Sequence, residues 1–147
     1  MFDIIFNEER KELPIDQLRD LFISAHWSDG SETEEMITYF NLPFINSTMV
    51  VSAWYGDRLV GVVRVLSDKI IRSTIHDLVV DPDFQRRGIG RELLARCIRI
   101  YPKTEWIVQT NESNVQYYLK NGFSPYSRCV LFKPSIYDRE YSEYSHE

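Results

Sequence analysis

Residues 78–94 read LVVDPDFQRRGIGRELL. The β-favouring Leu78, Val79 and Val80 lead into Asp81-Pro82, and Gln85-Arg86-Arg87-Gly88-Ile89-Gly90 then opens onto the helical pattern GRELLARCIRIY. A strand therefore enters a helix through a glycine-rich turn. The first N–H groups of a helix have no internal partners and lie at its positive end, and glycine lets an anion come close to the backbone, so such a turn suits phosphate. Arg86, Arg87, Arg91, Arg96 and Arg99 crowd residues 85–99 against the lone acid Glu92, in a chain with 17 basic and 22 acidic residues and a net charge of -5. That overall charge disfavours broad attraction to nucleic acid or an anionic membrane, so the basic site is local.

Working outward, the helix places Ile89, Leu93, Leu94, Cys97, Ile98 and Tyr101 on one face and ends at Pro102. WIVQT reads as a short strand after it, SNVQYYLKN as a helix closed by Gly122 with Phe123 folding back, and RCVLF as a last strand. Upstream, STIHDLVV is a strand, and TMVVSAWY and RLVGVVRVL form a hairpin around Gly56-Asp57. Ser31 to Glu34 has the form of a capping box, which predicts a helix to about Asn41 that Pro43 stops. Before it, LPIDQLRDLFISAHW puts Leu18, Leu21, Phe22 and Ala25 at helical spacing, and FDIIF reads as an edge strand. The predicted order is β-α-α-β-β-β-α-β-α-β. The expected fold is a mixed α/β (α+β) sheet, antiparallel and then parallel, flanked by helices.

With 147 residues, 44% hydrophobic and 27% charged, the chain reads as one domain over 1–147, with a poorly patterned Tyr-rich tail at 134–147. Cys97 and Cys129 form no C-x-x-C, and Cys97 lies on the apolar face as inert core. His26, His76 and His146 are too scattered for a metal site, so no metal is expected. No apolar run reaches a membrane span of ~18 residues, and MFDIIFNEERKEL lacks the order of a signal peptide, so a cytoplasmic protein is expected.

Spacing separates the phosphate motifs. A dinucleotide fingerprint needs a third glycine where this chain has Leu93, and a P-loop needs a Gly-Lys pair that the sequence lacks. Gln85, Gly88 and Gly90 in Q-x-x-G-x-G, after Leu78-Val79-Val80 and Asp81-Pro82, resemble the pyrophosphate motif of the GNAT superfamily of acyl-CoA-dependent N-acetyltransferases. Downstream, Asn111, Asn114, Tyr117-Tyr118 and Gly122-Phe123 resemble a second element of that family. Asn114 stands where the family usually has alanine. The resemblance spans nearly the whole chain.

It implies a GNAT-like fold in which two parallel strands, here STIHDLVV and WIVQT, splay apart and the pantetheine arm of the cofactor lies between them. Backbone groups of Leu78, Val79 and Val80 would bind the arm. The N–H groups of Arg86, Arg87, Gly88, Ile89, Gly90 and Arg91 would hold the pyrophosphate, with Arg86 or Arg87 adding charge and Gln85 completing the motif. Asn111 and Asn114 would lie near the arm. Tyr118 matches the general acid, which protonates the departing thiolate. The general base is His76, Asp77 or a water chain, and at most one of the adjacent pair should face the cleft, because neighbouring strand residues point to opposite faces. His26 and Trp27 would shape the acceptor pocket.

The implied activity is transfer of the acetyl group of acetyl-CoA, as co-substrate, to a primary amine of a small molecule or protein by direct attack in a ternary complex. Transfer of another acyl group, and a non-catalytic acyl-CoA-binding or regulatory module, stay open. Partners are then acetyl-CoA and an amine acceptor, with no nucleic acid and no membrane. A homodimer is also open, and the acceptor-side segments carry no motif that names the amine.

Overall fold

The computed structural model describes residues 3–126 and 130–136. These fall into two compact units, one ending at Glu112 and one beginning at Ser113.

The first unit is built on a five-stranded sheet of β1 (Ile4–Asn7), β2 (Met49–Tyr55), β3 (Arg58–Ser67), β4 (Arg72–Val80) and β5 (Glu105–Val108), in that spatial order. The first three pairings are antiparallel and β4–β5 is parallel. FDIIF is thus an edge strand. The hairpin closes through Gly56 at a φ of 58°, which a side chain would resist. Both faces of the sheet are covered, and Val50, Val51, Ser52 and Ala53 are buried in succession.

One face carries α4 (Ile89–Ile100), whose Ile89, Leu93, Leu94 and Cys97 are buried. Burying each large apolar side chain contributes about 1.5–3 kcal/mol. Ile98 and Tyr101 are only half-buried, at the margin of the stripe. A Cβ on Gly61 of β3 would come within 3.2 Å of both Ile89 and Leu93, so glycine there sets how closely helix and sheet approach. The other face carries α1 (Ile15–Ser24). Its Leu18 and Leu21 share a cluster with Leu13, Phe44, Val50, Leu59, Val62 and Val79, against which Phe22, Ala25, Phe40 and Trp54 pack.

The segment between α1 and β2 differs from expectation. Ser31 does not cap a helix, and its N–H donates to the Asp29 carboxylate rather than to Glu34. Thr33 caps instead, accepting from the Met36 N–H, and α2 is the short Glu34–Thr38. Pro43 does not stop a helix. It sits in the first turn of α3 (Leu42–Ile45), where a missing N–H costs nothing.

The second unit holds α5 (Val115–Lys120), followed by Gly122 at a φ of 93°. The Phe123 N–H returns to the Tyr118 carbonyl at 3.0 Å, the fold-back expected of that cap. Of the expected last strand RCVLF, Arg128 and Cys129 lie outside the described residues and 130–132 are coil. His146 and most of the Tyr-rich tail also lie outside them.

Candidate active site

Strand β4 changes neighbours halfway along its length. Its parallel pairing with β5 ends at Ile75 opposite Val108, while its pairing with β3 continues to Val80 opposite Gly61. Past Ile75, β4 therefore has a strand on one side only among the described residues. The β3–β4 register skips a residue at the same place: Val65 faces Ile75 and Arg64 faces Asp77, leaving His76 as a bulge. At the closed end, hydroxyls tie the strands together. Ser67 meets Ser73 at 2.8 Å, Ser73 meets Thr104 at 2.7 Å, and Arg72 pairs with Glu105.

The open edge has a definite polarity. The Asp81 N–H donates to the Val60 carbonyl at 2.8 Å, and alternation then turns the backbone of Val79 toward β3 and that of Leu78 and Val80 away from it. The expectation of three open residues is corrected here: Val79 spends its amide on the sheet and its side chain in the core, at 1% exposure. Gln85 reaches back to the same edge, its side-chain amide donating to the Val80 carbonyl at 3.0 Å.

The turn that follows is held from beneath. Buried Asp81 accepts from the Asp83 N–H at 2.9 Å and pairs with Arg58 at 2.6 Å. The guanidinium groups of Arg58 and Arg87 lie 5.2 Å and 5.3 Å from the centre of the Phe84 ring. Arg86 and Gly88 both have positive φ, 63° and 81°, a backbone pattern from which anion-binding concavities are made. Gly88 caps α4, a Cβ there would meet nothing within 4 Å, and the N–H groups of Ile89, Gly90 and Arg91 follow at the helix start. Arg96 and Arg99, further along the helix, are paired with Glu92.

The residues expected on the acceptor side are joined by a chain of contacts. Trp27, half-exposed, meets Phe22 edge-on with ring centres 5.9 Å apart, and Phe22 meets Phe44 at 6.0 Å. Arg64 lies over Phe44 at 5.6 Å and binds Asp77 at 2.8 Å. His26 ends α1 with a φ of 62°. Its N–H bonds to Ile23 and that of Trp27 to Phe22, so this left-handed cap aims the tryptophan.

The bulge interrupts the regular alternation at His76, which is exposed, while Asp77 is half-buried against Arg64. Burial first, and then the Arg64 charge, hold the His76 imidazole below its ordinary value of 6.5, with Asp77 opposing. Arg64, Phe22 and Phe44 were not foreseen. A lone arginine inside the apolar run RLVGVVRVL is the signal that a partner lies across the sheet.

Within the second unit, Tyr118 is buried between the rings of Tyr117 and Phe123, at 5.3 Å and 5.5 Å. Burial, then Tyr117, push its phenol up to about 12. Asn114 is the cap position of α5, without a side-chain cap bond, and is exposed; Asn111 is exposed at the end of the first unit. Cys97 is fully buried with its thiol pushed up to about 12 by burial and Glu8, which makes it unreactive.

Two hollows lie elsewhere. One of about 750 Å³ is lined by residues including Arg10, Glu12, Asp16 and Arg19, and one of about 500 Å³ by residues including Gln17, Trp54 and Asp57. Neither touches β4 or the turn. Among the described residues no group of three or more His, Cys, Asp or Glu could hold a metal, and no helix is long and apolar enough to cross a membrane.

Residues 8–123 match the profile of the acetyltransferase (GNAT) family. The chain belongs to that family. The enzymes of that family are acyltransferases that use acyl-CoA. It is 29% identical over 102 residues to the uncharacterized N-acetyltransferase ycf52-like of Prochlorococcus marinus, a match covering 67% of this chain and 53% of that protein, so it spans about half of that relative. A histone acetyltransferase of Glycine max is 43% identical over 42 residues, covering 29% of this chain and 18% of that protein. Among solved structures, a GNAT family acetyltransferase of Streptococcus pneumoniae superposes with a TM-score of 0.70 at 21% identity, covering 91% of this chain and 99% of that one. An aminoglycoside acetyltransferase from an uncultured soil metagenomic sample, in complex with sisomicin, gives 0.67 at 18%, covering 90% and 96%. These likenesses establish the mixed GNAT sheet.

Proposed function

We propose that this GNAT protein is a cytoplasmic N-acetyltransferase, a single catalytic domain that moves the acetyl group of acetyl-CoA to a primary amine by direct attack in a ternary complex. The observation that carries the proposal is the junction on β4, where an edge freed by the end of β5 pairing runs directly into a left-handed turn and a helix start. The residues fit such a cofactor. Leu78 offers its amide and carbonyl and Val80 its amide to a pantetheine arm, the Val80 carbonyl being engaged by Gln85, and the space in front of Gly88 accepts a pyrophosphate that any side chain would obstruct.

Acetyl-CoA supplies an activated thioester, whose carbonyl oxygen gains negative charge and whose sulfur leaves as a thiolate. An N–H aimed from β4 at that oxygen stabilises the charge as it develops. Arg86, Arg87 and Arg91 neutralise phosphate charge, and Asn111 and Asn114 line the arm. His26 and Trp27 hold the acceptor against the strand bearing His76 and Asp77, one of which, or a water, takes the ammonium proton. Tyr118 serves as the acid. Its phenol stays neutral through the physiological range, so it is a hydrogen-bond donor to sulfur at every working pH. With that phenol at about 12 and a thiol at ~8.5, full proton transfer to sulfur is uphill, so the hydroxyl acts by hydrogen-bonding the sulfur as its charge develops, and water completes the protonation.

Thiol release from acetyl-CoA against a panel of small amines, polyamines, aminoglycosides and peptide N-termini tests the proposal. At least one amine is expected to drive stoichiometric release with an N-acetylated product. Binding without release by any amine would favour the non-catalytic module, and release only with a longer acyl-CoA would favour transfer of a different group.

A further inference from the structure

We propose that Arg64 is a positioning residue that divides the work of the two titratable groups at the bulge: it fixes Asp77 in an ion pair and leaves the His76 imidazole to take the proton of the acceptor ammonium. The proposal rests on the transferase reading above and deepens it at the deprotonation step.

The register places Arg64 on β3 directly opposite Asp77. Its Nε–H donates to an Asp77 carboxylate oxygen at 2.8 Å, both side chains are only 18% exposed, and the guanidinium also rests over the Phe44 ring. The Asp77 carboxylate is thus already engaged by the Arg64 N–H, and turning it toward the cleft would leave a largely buried guanidinium without its counter-charge. The bulge gives the neighbouring residue the opposite surroundings. His76 has no partner on β3, reaches the surface, and stands at the residue where β4 parts from β5.

The charges acting on His76 among the described residues are Arg64 from β3 and Asp77 from its own strand. On β5, Glu105 is occupied by Arg72 at the closed end. The lowered imidazole is therefore neutral, and able to accept, down to a lower pH than an ordinary histidine. In the step itself, one N–H bond of the ammonium breaks and a ring nitrogen of His76 gains that proton. The amine keeps the electron pair for its bond to the acyl carbon, and the imidazolium returns the proton to water.

The test is the pH profile of kcat/KM for the amine, measured on the full chain beside an NMR titration of its imidazoles, with His76→Gln identifying the His76 signal. In the wild type the acidic limb should coincide with the His76 titration, below 6.5. Arg64→Gln should move limb and imidazole upward together, since a repelling cation is gone and the Asp77 charge is released; Arg64→Lys should restore most of the wild-type position. Asp77→Asn should move both downward and cost less than His76→Gln, which should lower kcat by ~10²- to 10⁴-fold and erase the limb with acetyl-CoA affinity retained. Where Arg64→Gln does not fold, the direction of the Asp77→Asn shift decides. A limb that ignores the imidazole, or a greater loss in Asp77→Asn than in His76→Gln, overturns the proposal. Failure of the transferase reading is distinguishable, because the wild type itself would then release no thiol with any amine.

Discussion

Tyr118 and His26 are residues whose surroundings make separate predictions. Removing only the Tyr118 hydroxyl keeps the ring that Tyr117 and Phe123 pack against. Tyr118→Phe should therefore leave the melting temperature and acetyl-CoA affinity nearly unchanged while lowering kcat by ~10²- to 10⁴-fold; a wild-type rate with chemistry limiting would assign the acid role to water or another group. His26 occupies a left-handed cap at a φ of 62°, where a Cβ is strained by about 1–2 kcal/mol. His26→Gly should raise stability in denaturant by up to about 1 kcal/mol, after allowing for glycine's greater freedom in the unfolded chain. If His26 also contacts the acceptor, the same variant raises the amine KM, so stability and KM separate the two roles. The glycine-rich turn was legible in the sequence because Gly88 stands at a φ of 81° that favours glycine, while its use toward phosphate remains the proposal. Arg64 was not, since its importance depends on which β4 residue faces it, and Phe22 and Phe44 look like ordinary core until Trp27 and Arg64 are seen on either side of them.

The contact between β3 and α4 passes directly behind the phosphate turn. Because a Cβ on Gly61 would already crowd Ile89 and Leu93 at 3.2 Å, Gly61→Val should cost about 1–3 kcal/mol and push the first turn of α4 outward. Its signature is a coupled loss, a lower melting temperature together with weaker acetyl-CoA binding, whereas Leu93→Ala should cost about 2–5 kcal/mol with a smaller effect on binding, because it removes packing without moving the turn. Periodicity made the long helix, the hairpin and the sheet strands readable, since each has a face to bury. For the same reason the bounds of α2 and the presence of α3 were not readable, although a helix before Asn41 was. Neither α2 nor α3 has room for a repeating stripe, and the cap read at Ser31 falls at Thr33 instead, while the Ser31 N–H donates to the Asp29 carboxylate. Nothing in STIHDLVV marks His76 as an extra residue. The bulge arises from cross-strand register, which a single strand does not encode.

For the whole molecule, the net charge of -5 makes the basic turn at one strand end a local feature, and the proposed function assigns it to the phosphates of acetyl-CoA. A ligand that binds only the folded chain stabilises it by RT ln(1 + [L]/Kd), ~2.7 kcal/mol at a hundredfold excess over Kd, so saturating acetyl-CoA should raise the melting temperature by several degrees. The measurement that tests the central claim most directly is calorimetric titration of acetyl-CoA into the wild type and into Gly88→Glu. Saturable binding to the wild type is expected, with none to the folded variant, whose side chain and negative charge would fill the open space before the helix start. Equal binding to both proteins, or no binding to the wild type, would contradict the account.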